Sequence, residues 1–63
     1  MNDYTPRGLA FVAISQAIDA LKSAAAAMVD QDDDRAADSI AIAHKMTTAG
    51  LRQLDPNNAQ LNT

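Results

Sequence analysis

Apolar side chains recur at alternating spacings of three and four through most of this chain, the period of helices that pack on one another. In the first half Phe11, Ile14, Ile18, Leu21, Ala25 and Met28 follow that rhythm, with Ala10, Ala17 and Ala24 beside them. Period-two alternation is absent and Val and Ile are few, so the pattern predicts helix and not strand. The second half carries two stripes. One runs Ala36, Ile40, Ala43, Thr47, Gly50 and Leu54; the other, rotated by roughly 120° at about 100° per residue, runs Ile42, Met46 and Ala49.

Punctuation sets the limits of these helices. Thr5 can cap a helix whose first position is Pro6, where the missing N–H costs nothing. The acidic stretch Asp30-Gln31-Asp32-Asp33-Asp34 interrupts the pattern, and its last aspartates favour a new helix N-terminus. Asp55-Pro56 ends the second helix, because Pro cannot continue it. The expected organisation is a single domain over residues 1–63: helix at about 6–29, acidic turn at about 30–33, helix at about 33–54, and a loose tail over 55–63, with a single terminal turn capped by Asp55-Pro56 that returns Leu61 as an alternative. With so short a connection the helices must run antiparallel. The fold class is therefore all-α, an antiparallel helical hairpin.

Length and composition add a constraint. A chain of 63 residues buries only about 60% of its unfolded surface, and 14 of its residues are Ala. No Cys is present to staple the fold. One intramolecular neighbour cannot cover two stripes on the second helix, so the chain is expected to form a homodimer, a four-helix bundle of two hairpins. Phe11, Ile14, Ile18, Leu21, Met28, Ile40, Ala43, Thr47, Gly50 and Leu54 are the expected self-association residues. Ala43, Thr47 and Gly50 are small enough to admit another helix closely. Gly50 costs about 1 kcal/mol inside a helix relative to Ala, a loss that close packing would offset.

Candidate chemistry changes the picture little. Asp30, Asp32, Asp34 and Asp38 occupy positions 1, 3, 5 and 9 of an EF-hand-like loop. Arg35 then stands where the sharp turn needs Gly, and Ala41 where a bidentate Glu is needed, so no metal is expected. His44, the single histidine, lacks a ligand or catalytic partner at helical spacing and reads as a boundary residue. Ser15, Ser23, Ser39, Thr47 and Thr48 have no base-and-orienter set, and Gly8 and Gly50 form no phosphate loop. No catalytic residue and no cofactor is expected, and the chain is not read as an enzyme. Five basic against eight acidic residues argue against broad binding of nucleic acid. The polar start and the lack of an apolar run near about 18 residues argue against a membrane span, giving a cytoplasmic expectation.

Leu9 and Val12 lie off the first stripe, at the end where Leu51, Leu54 and Leu61 gather. With Ile42, Met46 and Ala49 they form the expected partner-binding set, since exposed contiguous apolar surface marks interfaces. Met46 suits an adaptable contact because its thioether chain repacks easily. The expected function is a small non-catalytic interaction module that modulates another protein as inhibitor, antiactivator or adaptor. A structural subunit of a larger assembly is an alternative.

The Asp30-Gln31-Asp32 bend, with small and large residues alternating along the helices, resembles the layout of ROP-type helical hairpins. That resemblance implies a dimeric four-helix bundle and a second alternative, binding of paired RNA loops through the outward face of the first helices. The corresponding face here holds Gln16, Asp19, Lys22 and Ser23, without a basic cluster or an aromatic ring; Arg7, Lys22, Lys45 and Arg52 would have to meet phosphate.

Overall fold

The computed structural model describes residues 5–56, and among them the architecture is two α-helices and no strand. Helix α1 is Pro6–Val29 and helix α2 is Asp33–Leu54. They pack along their length as an all-α antiparallel hairpin. Tyr4, Leu61 and the tail beyond residue 56 lie outside the described residues, so the alternative return of Leu61 falls there too.

Local chemistry accounts for each end. The Thr5 side chain accepts a hydrogen bond from the Gly8 N–H at 3.0 Å, and Pro6 follows it at the first helical position. At the other end the Gln31 N–H donates to Met28 O at 3.0 Å and the Asp32 N–H to Ala27 O at 2.8 Å. This crossed pair is a Schellman closure. It holds Gln31 at φ 59°, a left-handed position where glycine is the usual occupant. Asp32 then serves α2 as well, its carboxylate accepting from the Arg35 N–H at 3.1 Å. Arg35 turns back to an exposed ion pair with Asp30 at 2.9 Å, which contributes little to stability. One residue thus closes the first helix and opens the second, which forces the antiparallel return.

The hairpin core departs from the stripe of large side chains. Its buried hydrophobic residues are Ala10, Ala13, Ala17, Ala24 and Ala27 on α1 and Ala36 and Ala43 on α2; Gly8 and Gly50 are buried as well. With half-buried Ala20, the α1 positions 10, 13, 17, 20, 24 and 27 make an unbroken three-four heptad seam of alanine. Opposite it stand Ala36, Ser39, Ala43, Met46 and Gly50 at the same spacing. The stripe through Phe11, Ile14, Ile18, Leu21 and Met28 is therefore not what packs this hairpin: Phe11 is 60% and Ile18 49% exposed. Methyl groups and a bare Cα let the backbones approach closely, and that approach turns the larger side chains to the flanks. At Gly50 an added Cβ would lie 3.1 Å from Ile14 Cδ1 and 3.7 Å from Ala10 O.

The apolar length of α1 also needs correcting. Its alanine seam and its outward stripe together give an 18-residue window of mean hydropathy 1.3, so by length and composition α1 is able to cross a membrane. Gln16, Asp19 and Lys22 are too few to lower that average.

Candidate interaction faces

Because the seam consumes small side chains at every position but Met46, the hairpin presents apolar residues on both of its broad faces. The first face holds a hollow of about 460 Å³ lined by Leu9, Val12, Ala13 and Gln16 from α1 and Met46, Ala49 and Gln53 from α2. Four of the five expected partner-binding residues thus line one depression. The fifth, Ile42, lies one helical turn before Met46 on the same flank and is 51% exposed. Met46 is half-buried at the floor, beside Ala13. Towards the bend this face turns polar, since Asp19 and Ser23 continue the α1 flank and Ser39 and Arg35 the α2 flank. The hollow sits at the open end only.

On the second face Arg7, Ala10, Phe11 and Ile14 of α1 meet Leu54 of α2 in a shallower depression of about 230 Å³. From Ile14 the α1 stripe continues through Ile18, Leu21, Ala25 and Met28 with no charged residue in it. From Leu54 the α2 flank runs back through Thr47 and Ile40 at heptad spacing, with Leu51 between. Apart from Ala43 and Gly50, which α1 covers, every expected self-association residue lies on this face and is exposed. His44 stands exposed at its outer margin, where its carbonyl accepts the Thr47 hydroxyl at 2.9 Å.

The acidic bend is solvent-exposed, and among the described residues no group of three or more Asp, Glu, His or Cys is placed to hold a metal ion. Sequence reasoning overlooked two contributions. The polar rim of the hollow comes from Gln16 and Gln53, and its floor from Ala13. The signal for the floor was present in the spacing of Ala13, Ala20 and Ala27, which completes the seam begun by Ala10, Ala17 and Ala24.

No family model matches the chain, and neither a curated protein nor a solved structure matches it.

Proposed function

We propose that this chain is a small non-catalytic protein-interaction module, acting in the cytoplasm as a dimeric four-helix bundle that binds and modulates another protein. The observation that supports this reading is the inversion of the usual hairpin: alanines hold the helices together and the large apolar side chains face outward. Monomeric soluble proteins rarely keep contiguous apolar surface of this kind unless something docks on it. The open-end hollow is the partner site in this reading. Leu9, Val12 and Ala49 supply its apolar wall, Met46 its adaptable floor, and Gln16 and Gln53 the hydrogen-bonding rim that orients an incoming helix. A helix laid in such a groove would anchor through residues one turn apart.

Affinity capture from the native cell tests the assignment, comparing the tagged chain with an Ile42→Asp/Met46→Asp variant. Ile42 is exposed on the hollow's flank and Met46 is half-buried at its floor beside Ala13, so circular dichroism first checks that the variant keeps its helical content, and capture is compared with the hairpin intact. A protein retained by the parent and lost from the variant supports the reading. Equal capture by both, with the hairpin intact, removes it.

A further inference from the structure

We infer that the second face docks against the same face of a second copy, with the two bends at opposite ends, so that α1 lies antiparallel on α1 across a two-fold axis near Ile18. This deepens the proposed function by naming the occupant of the face that the partner hollow leaves free.

The first argument is area. Phe11, Ile14, Ile18, Leu21, Met28, Ile40 and Leu54 are 39–62% exposed. For side chains of this size, that offers at most roughly 650 Å² per copy, or about 1,300 Å² for two when fully covered, which reaches the lower end of the range of about 1,200–2,000 Å² that a stable interface buries. The second is extent. The stripe stays apolar from Phe11 to Met28, most of the length of α1, whereas the first face is apolar at one end only. A full-length apolar face needs an equally long apolar partner, and a two-fold contact supplies one because the surface is self-complementary.

The third argument fixes the orientation. Among the described residues, the bend carries Asp30, Asp32, Asp33 and Asp34 against Arg35, while the open end carries Arg7 and Arg52 against Asp55. Bends placed together would stack eight aspartates; bends placed apart set each acidic bend beside the arginines of the other copy. Such complementarity selects orientation more than it adds affinity. In that arrangement Ile18 meets the Ile18 of the second copy. Phe11 lies seven residues away, about 10 Å along the helix, and so stands roughly 20 Å from its own equivalent.

The chain has no cysteine, so single-cysteine variants report this geometry directly. Sedimentation equilibrium at about 100 μM is expected to give a dimer. Under mild oxidation Ile18→Cys is expected to form a disulfide-linked dimer on a non-reducing gel, and Phe11→Cys to remain unlinked. Ile42→Asp/Met46→Asp in the Ile18→Cys background is expected to keep the cross-link, because those residues lie on the other face. Failure of the partner site is thus read separately from failure of the dimer. A monomer at that concentration overturns the inference, and flotation of that monomer with phosphatidylcholine vesicles would assign the face to a lipid surface. A dimer in which Ile18→Cys does not cross-link overturns the antiparallel placement.

Discussion

Replacing Gly50 with Ala probes a close approach of the two helices. A glycine in a helix interior costs about 1 kcal/mol relative to alanine, so the substitution starts with that gain. The new methyl group would meet Ile14 Cδ1 at 3.1 Å and Cγ1 at 3.4 Å, with the Ala10 carbonyl at 3.7 Å. The last is ordinary contact, so the backbones need not separate. The first requires the end of Ile14 to move by a few tenths of an ångström, and at 39% exposure that side chain is not enclosed by its own hairpin and can turn outward. A shift off its rotamer well costs about 0.5–1.5 kcal/mol for some 30°, and so small a movement falls at the low end, about 0.5 kcal/mol. The expected result is a net stabilisation of about 0.5 kcal/mol, raising Tm by roughly 2–4 °C for a domain of this size. Thermal unfolding followed by circular dichroism at fixed protein concentration measures it. An Ile14→Val background removes Cδ1 and should enlarge the gain. A loss above about 1 kcal/mol that persists in that background would refute the reasoning, since it would place the clash on the Ala10 backbone and not on a movable side chain.

Two further substitutions test the seam and the bend. Ala17 is 2% exposed between the helices, so Ala17→Leu must wedge them apart; it is expected to cost about 1–3 kcal/mol by urea unfolding, where a surface alanine such as Ala41 would show almost none. Gln31→Gly relieves a left-handed residue at φ 59° and is expected to stabilise by about 0.5–1 kcal/mol in the same assay, whereas Gln31→Val should destabilise.

The all-α hairpin is legible in the order of residues because its determinants are local. Capping by Thr5 and Asp32, the Pro6 start and the cluster of poor helix formers at the bend act within a turn or two of chain. Heptad spacing then says that each helix has an inward side. It does not say which side, because α1 carries two stripes of equal regularity, one of alanines and one of large apolar residues, roughly 100° apart. Size alone favours the larger stripe, and the fold chose the smaller.

That choice is a property of the pair and not of either helix. Ala10, Ala17 and Ala24 gain their value from Ala36, Ala43 and Gly50 opposite, where two bare surfaces meet closely enough for backbones to touch side-chain stubs. Helix content and the bend follow from short-range propensity and hydrogen bonding. The identity of the buried stripe, and with it the outward set of Phe11, Ile18, Leu21 and Ile42, follows from interhelical distance, which no single segment encodes.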